Sequence, residues 1–272
     1  TRLLSPHPVF LERMTLSLFD THAHLNIKPF DDTVDEVVAR ARDAGLVGIN
    51  VIGIDVDTSR RACDLAARFP GYLFATVGIQ PNSAGQAADD DFDAIIQMAG
   101  LPGVRAIGET GLDCYWDDTP LQQQQDYFQR HLQLCRDSGL PMVIHMRESG
   151  SLIVQQLRRQ SSLPAGVMHS FTGDWPLASE CLELGLMISF AGMITFKNSD
   201  DLRAVAARVP ADRLLVETDS PYLSPEPLRG RRPNEPARVE HTLRCLAEVR
   251  GISPDRLAQQ TTENAKRLLQ LP

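Results

Sequence analysis

Short apolar runs alternate along the chain with longer segments whose apolar residues recur every three or four positions. The short runs are typical of buried strands, and the longer segments of helices with one buried face. The first predicted strand leads through Leu16, Leu18 and Phe19. Seven further strands are predicted at 46–54, 72–78, 104–107, 141–144, 166–168, 186–190 and 213–216.

Helices are predicted in every interval between these strands. Their expected ranges are 33–44, 58–69, 92–98, 119–139, 149–159, 175–184 and 199–208, with two more at 237–250 and 254–269. We expect Thr58 or Ser59 to cap the second helix, and Thr119 to cap the fourth with Pro120 at its first position.

Eight apolar strands that alternate with helices predict an α/β protein with a parallel eight-stranded sheet closed into a (β/α)₈ TIM barrel. The sequence contains no low-complexity linker, so residues 14–272 are expected to form a single domain. Residues 1–13 contain two prolines and no periodicity, and we interpret them as an N-terminal extension before Met14.

Residues suited to bind metal ions follow the predicted strands. In such a barrel the chemistry lies at the carboxyl ends of the strands. The first strand leads into His22 and His24, which would project to the same side because strand side chains alternate. Later strands lead into the other candidate ligands, which are Glu109, His145, His169 and Asp219.

Six ligands are too many for one catalytic zinc ion but suit two divalent ions about 3.5–4 Å apart. His22, His24 and Asp219 are predicted to bind the first ion, since the first and eighth strands adjoin in a closed barrel. His145 and His169, on adjacent strands, are predicted to bind the second. These donors suit Zn²⁺, Mn²⁺ or Mg²⁺.

Two carboxylates are the candidate catalytic residues. Glu109 lies between the two groups in strand order and is expected to bridge the ions. Asp219 would contact both an ion and a bridging water activated by the ions, so it is the candidate general base. A buried cluster without ions is disfavoured, because it would carry a heavy desolvation cost.

Composition narrows the alternatives. The net charge of −8 argues against a protein that coats nucleic acid by bulk charge, although ions and a basic loop can hold a polyanion locally. The five cysteines form no C-x-x-C pair, and no apolar run approaches the length of a membrane span. We therefore expect a cytoplasmic protein without a membrane partner, and the sequence leaves its oligomeric state open.

Seven ordered motifs resemble the TatD family of metal-dependent deoxyribonucleases, which lies within the amidohydrolase-like barrels. They are Phe-Asp-Thr-His-Ala-His at 19–24, Gly-Glu-Thr-Gly-Leu-Asp at 108–113, Pro-Met-Val-Ile-His-Met-Arg at 141–147, His-Ser-Phe-Thr-Gly at 169–173, Glu-Thr-Asp-Ser-Pro-Tyr-Leu at 217–223, Arg-Pro-Asn-Glu-Pro at 232–236 and Thr-Glu-Asn-Ala-Lys-Arg-Leu at 262–268. The resemblance implies a (β/α)₈ barrel with divalent metals that hydrolyses DNA phosphodiesters, often as a 3′-to-5′ exonuclease. It also implies metal binding by the same six residues.

One motif departs from the family pattern. After the third strand the family commonly has Val-Gly-x-His-Pro-His, where this chain has Gln80 and Asn82 in place of both histidines. These amides can donate hydrogen bonds to a phosphate but cannot carry a proton near pH 7. The departure therefore bears on substrate choice and pH dependence.

Arginines near the predicted site are candidate substrate contacts. Arg147 could clamp a phosphate, or it could form a salt bridge with Glu148 or with a neighbouring loop. Arg229, Arg231 and Arg232 form a basic loop beyond Asp219 that is positioned to hold a polyanion.

Other polar and aromatic residues near the strand ends have candidate supporting roles. Tyr115, Trp116 and Phe171 follow strands and could either stack bases or anchor loops. Glu217, on the strand before Asp219, is expected to support the ligands. His131 has no acidic or histidine neighbour in its predicted helix and is interpreted as structural.

Two other functions remain open from the sequence. The same metal scaffold could hydrolyse an amide, ester or lactone of a small substrate, because one barrel hosts many chemistries. A non-catalytic binding protein is a third possibility, but nothing would require it to keep a complete set of ligands.

Overall fold

The computed structural model describes residues 16–272, and in this range eight parallel strands form a barrel surrounded by nine α-helices. The strands are β1 (Leu18–Ala23), β2 (Leu46–Ile52), β3 (Leu73–Val77), β4 (Val104–Asp113), β5 (Met142–Arg147), β6 (Gly166–Met168), β7 (Met187–Phe190) and β8 (Leu214–Val216). The helices are α1 (Val34–Asp43), α2 (Val56–Arg68), α3 (Asp91–Ala99), α4 (Leu121–Ser138), α5 (Gly150–Arg158), α6 (Trp175–Glu183), α7 (Asp200–Arg208), α8 (Val239–Arg250) and α9 (Pro254–Leu268).

The strands pair in sequence order, which confirms the predicted α/β class and the (β/α)₈ TIM barrel. The predicted extension at 1–13 and the start at Met14 lie outside the described residues. Among the helices of residues 16–272, none is long and apolar enough to cross a membrane.

Hydrogen bonds between β1 and the segment after β8 complete the barrel. The Thr218 backbone N–H and hydroxyl donate to the two carboxylate oxygens of Asp20, at 2.9 and 2.5 Å. Further up the seam, the backbone N–H of Asp219 donates to the carbonyl oxygen of His22, at 2.9 Å. The last strand therefore delivers Asp219 beside the first pair of histidines.

An apolar layer fills the half of the barrel nearer the amino ends of the strands. It combines side chains from seven strands with the end of α9, namely Phe19, Phe74, Ala106, Val143, Val167, Met187, Leu215, Ala265, Leu268 and Leu269. Gly48 on β2 leaves the space that the Phe19 ring occupies. We call this apolar layer the barrel floor. It leaves the end of the barrel at the carboxyl ends of the strands for polar side chains.

Two predicted helix caps are wrong. Helix α2 is capped by Asp55, whose carboxylate accepts from the Thr58 backbone N–H at 2.7 Å while the Thr58 hydroxyl accepts from the Asp55 N–H at 3.1 Å. Thr58 is thus the third helical residue of a capping box. Helix α4 begins at Leu121 with Pro120 as its N-cap, one position earlier than predicted for the proline, so no side chain caps it. The Thr119 hydroxyl instead accepts from the Gly85 N–H at 2.9 Å.

The structural role predicted for His131 is confirmed. This buried residue of α4 accepts a hydrogen bond at Nε2 from the Ile79 N–H (3.1 Å) and donates from Nδ1 to the Tyr127 carbonyl (2.7 Å). Only a neutral imidazole can do both. Burial lowers the pKa of His131 to about 4.

We expect His131 to make folding sensitive to mild acid. The unfolded chain binds a proton at this residue below about pH 6.5, while the folded chain resists protonation until about pH 4. Stability from this residue is therefore present above pH 6.5 and falls by about 2 kcal/mol between pH 7 and pH 5. Urea unfolding at both pH values should show this loss in the wild type, and a smaller loss in His131→Gln. Equal losses would contradict the assignment.

Candidate metal centre

The first group of predicted ligands forms a triangle above the barrel floor. The Nε2 atoms of His22 and His24 lie 3.2 Å apart. Asp219 Oδ1 lies 3.7 Å from His22 Nε2 and 3.4 Å from His24 Nε2. Ligand atoms around a tetrahedral ion with bonds of about 2.1 Å would be about 3.4 Å apart. The triangle therefore has the size and the donor types of an ion site.

The second group adjoins the first through Glu109. Its Oε1 atom lies 2.7 Å from His145 Nδ1 and 3.1 Å from His169 Nε2. Its Oε2 atom faces the first group, 3.5 Å from His22 Nε2 and 3.8 Å from His24 Nε2. Glu109 thus directs one carboxylate oxygen to each group.

Without ions, the histidines and carboxylates of the cluster shift one another's pKa values. Burial opposes charge on Glu109, but the positive His169 and hydrogen bonds from the neighbouring histidines hold the Glu109 pKa well below its ordinary value. Burial likewise opposes charge on His169, yet Glu109 and Glu217 hold its pKa well above the usual range. Burial and the charge of His169 lower the pKa of His22. Divalent ions could replace these protons as counter-charges, so binding would release protons.

Two further carboxylates hold the histidines in place. Asp113 Oδ2 lies 2.9 Å from His145 Nε2, which leaves Nδ1 of that ring for the site. Glu217 Oε1 lies 3.3 Å from His169 Nδ1 and accepts from the Ser170 N–H at 2.8 Å. Such partners fix the orientation of ligand rings. Glu217 stands in the supporting position expected for it, whereas the interpretation of the sequence gave Asp113 no role.

The sequence of β4 explains how Glu109 and Asp113 reach the site. The strand was predicted to end at residue 107, but it continues to Asp113. Gly108 and Gly111 adopt φ values of +136° and +130°, and a Cβ at Gly111 would overlap the carbonyl oxygen of His145. Glycine at these positions lets β4 run closely beside β5.

Burial separates the enclosed ligands from those that face solvent. His145 and Asp219 keep 17% and 15% of their side-chain surface exposed, while the other four keep 6% or less. Asp219 has φ of +53°, a left-handed conformation that aspartate adopts more readily than most residues. The turn presents its carboxylate to the cavity.

A cavity of about 600 Å³ opens above the cluster. Of the predicted substrate contacts, four line it, namely Gln80, Asn82, Arg147 and Arg232. Arg231 is exposed and does not line the cavity, and Arg229 lies over the ring of Phe196 at 3.9 Å.

Arg147 is not engaged by an acidic partner in the part of the chain that the structure describes, so the alternative of a salt bridge to Glu148 is not what the structure contains. Its guanidinium carbon instead lies 3.9 Å from the centre of the Tyr115 ring and 5.5 Å from that of Trp116. The donors of Arg147 therefore remain available to a ligand in the cavity.

Phe171 cannot serve as a stacking surface. The side chain is buried, with a relative exposure of 1%, and its ring packs edge-on against Phe190 at 6.3 Å. It anchors the loop after β6. An apolar residue beside a site has the same sequence signature in either role, which is why the pattern left both open.

One family model and several similar proteins match most of the chain. The family sequence model described as TatD-related DNase matches residues 19–270 of this chain. The uncharacterized metal-dependent hydrolase YabD of Bacillus subtilis is 37% identical over 255 residues, which cover 93% of this chain and 99% of YabD. The 3′-5′ ssDNA/RNA exonuclease TatD of Pectobacterium carotovorum is also 37% identical, over 93% of this chain and all of that protein. The crystal structure of YjjV, a TatD homologue of Escherichia coli, superposes with a TM-score of 0.89 at 29% identity and covers 95% of this chain and all of YjjV.

Proposed function

The chain belongs to the TatD-related DNase family of metal-dependent hydrolases, and on that premise we propose that it cleaves phosphodiester bonds at the 3′ ends of single-stranded DNA. The observation that carries the proposal is the pair of ligand groups joined by Glu109 at the base of an open cavity. The relatives named 3′-5′ ssDNA/RNA exonucleases support the substrate and the direction of cleavage.

We assign one ion to each group. His22, His24 and Asp219 would bind the first, and His145 and His169 the second, with Glu109 between them. Divalent ions, when bound, supply Lewis acidity and make water a stronger nucleophile near neutral pH. Mg²⁺, Mn²⁺ and Zn²⁺ all suit these oxygen and nitrogen donors.

Asp219 is proposed to accept a proton from the attacking water. Its carboxylate is among the more exposed of the six ligands, so it can meet both water and substrate. Burial would raise its pKa, but the hydrogen bond from His24 and nearby positive charge outweigh this and keep the pKa below the ordinary value. The carboxylate is therefore ionised at neutral pH and ready to act as a base.

Phosphate groups would be held by the side chains of the cavity wall. Arg147 and Arg232 supply positive charge to a substrate that an acidic protein would otherwise repel. Within residues 16–272 the Gln80 side chain makes no hydrogen bond, so its amide can donate to a phosphate. Asn82 lines the same cavity, but one N–H of its amide already donates to Asp113 at 3.2 Å. We therefore assign substrate contact to Gln80 and support of Asp113 to Asn82.

An end-labelled oligonucleotide tests this function. With Mg²⁺ or Mn²⁺, a 5′-labelled single strand should be shortened stepwise from its 3′ end. EDTA should stop the reaction and excess Mg²⁺ should restore it, because the ligand cluster has no catalytic power without its ions. Metal-independent cleavage, or hydrolysis of a neutral ester with no cleavage of DNA, would overturn the proposal.

A further inference from the structure

We propose that Trp116 is a stacking platform for a nucleobase next to the cleaved phosphodiester, with Tyr115 and Arg147 as its supports. This inference rests on the proposed function, because it assigns a subsite to the same substrate. Trp116 lines the cavity above the metal centre, yet 49% of the residue is exposed. A large aromatic surface beside a catalytic cavity is suited to the flat face of a base.

The neighbouring side chains hold the Trp116 ring in place. Tyr115 meets it edge to face, with ring centres 4.8 Å apart and planes at 89°. The guanidinium of Arg147 covers the Tyr115 ring at 3.9 Å and approaches Trp116 to 5.5 Å. The Tyr115 ring is therefore engaged by its neighbours and acts as a support. The Trp116 ring lines the cavity and is the one available to a base.

Asp113 ties this platform to the metal centre. Its Oδ1 atom accepts from the backbone N–H groups of Tyr115 (2.9 Å) and Trp116 (3.0 Å), which fixes the turn that carries both rings. Its Oδ2 atom lies 2.9 Å from His145 Nε2. The Asp113 carboxylate thus sets the position of both the Trp116 platform and the proposed metal ligand His145. The distance between a stacked base and the reacting phosphate is therefore pre-organised.

The charge beside the platform suits a nucleotide better than an uncharged aromatic ligand. Arg147 has no acidic partner among the described residues and lines the same cavity. It can therefore pair with a phosphate attached to the stacked nucleoside. Because bases inside a duplex are already stacked, an exposed platform favours an unpaired base at a strand end.

Trp175 can be replaced so that only Trp116 contributes tryptophan fluorescence. It is the second of the two tryptophans in the sequence, and the guanidinium of Arg208 lies 3.8 Å over its ring. Trp175 packs against the core and does not line the cavity. Replacing Trp175 with phenylalanine makes Trp116 the sole tryptophan reporter.

The test is binding of a nuclease-resistant phosphorothioate trideoxyadenylate to Trp175→Phe protein in Mg²⁺. Its fluorescein-labelled form gives the Kd by anisotropy, and Trp116 emission is recorded in parallel with the unlabelled form. We expect saturable quenching of Trp116. Two nucleotides flank the 3′-terminal phosphodiester of the oligonucleotide. Removing the base from one of these two nucleotides should raise the Kd about tenfold. When Trp116→Ala is combined with Trp175→Phe, this dependence of the Kd on the base should vanish. When Trp116→Phe is combined with it instead, most of the dependence should remain.

Saturable binding without quenching, absence of binding, or an equal base dependence in Trp116→Ala would overturn the subsite. The nuclease assay separates the two proposals. Active enzyme without quenching removes the subsite alone, while base-dependent quenching without cleavage removes the nuclease function and leaves Trp116 as a base-binding residue without a catalytic context.

Discussion

Replacing Asp219 with asparagine is expected to lower phosphodiester hydrolysis by about a thousandfold. The substitution preserves shape but removes the group that accepts the proton from water. It also removes a negative charge 3.4 Å from His24 Nε2, where an ion would bind. Initial rates on a labelled oligonucleotide in saturating Mg²⁺ give the effect.

Asp117→Asn is the matched control. Asp117 is an exposed aspartate on the loop after β4, so the substitution changes the net charge equally without touching the cluster. We expect this variant to keep wild-type rates. Thermal unfolding of both variants checks that the barrel is intact. An Asp219→Asn enzyme as active as the control would contradict the assignment of the base.

Replacing Glu109 with glutamine is expected to weaken the binding of both ions. Each carboxylate oxygen of Glu109 faces a different ligand group, and glutamine offers one neutral oxygen in place of two charged ones. Loss of a supporting residue alone typically costs about 10–100-fold in metal affinity, so loss of the shared ligand should cost more. Calorimetric titration of the metal-free protein with Mn²⁺ measures both affinities.

Glu217→Gln is the informative comparison for that experiment. The Glu217 carboxylate lies near both His22 and His169, but its hydrogen bonds within the described residues go to His169 and the Ser170 N–H. The Glu217→Gln variant should bind the second ion about 10–100-fold more weakly and bind the first ion with nearly unchanged affinity. If Glu109→Gln also affected only one ion, the bridging role would be wrong.

The barrel was predictable because the buried strands other than β4 contain compact apolar runs that lead into polar residues. His145 and His169 follow such runs directly, so their placement at one end of the barrel needed only the rule that parallel strands share a direction. The pairing of His22 with His24 followed from strand alternation, and their Nε2 atoms lie 3.2 Å apart.

The role of Asp113 was missed because β4 loses its apolar pattern before it ends. Gly108, Glu109, Thr110 and Gly111 look like a loop in sequence, yet they continue the strand beside β5. With the strand placed correctly, Glu109 and Asp113 are four residues apart and alternation would have assigned them to one face. The glycines that obscured the strand are those that allow its close approach to β5.

Side-chain partners across the cavity were not predictable from spacing. Arg147 could equally have paired with Glu148, its neighbour in sequence, but it lies over Tyr115 from another strand end. The capping of α2 by Asp55 was readable in principle, since an acid three residues before Thr58 forms a capping box. The prediction instead placed the cap at Thr58 or Ser59, inside a helix that begins at Val56.

The number of ions bound per chain tests the central proposal most directly. Native mass spectrometry of the protein equilibrated with Mn²⁺ should detect two ions in the wild type and one in His169→Ala, since that variant loses a ligand of the second group only. A wild-type protein that binds one ion or none under these conditions would contradict the two-ion centre.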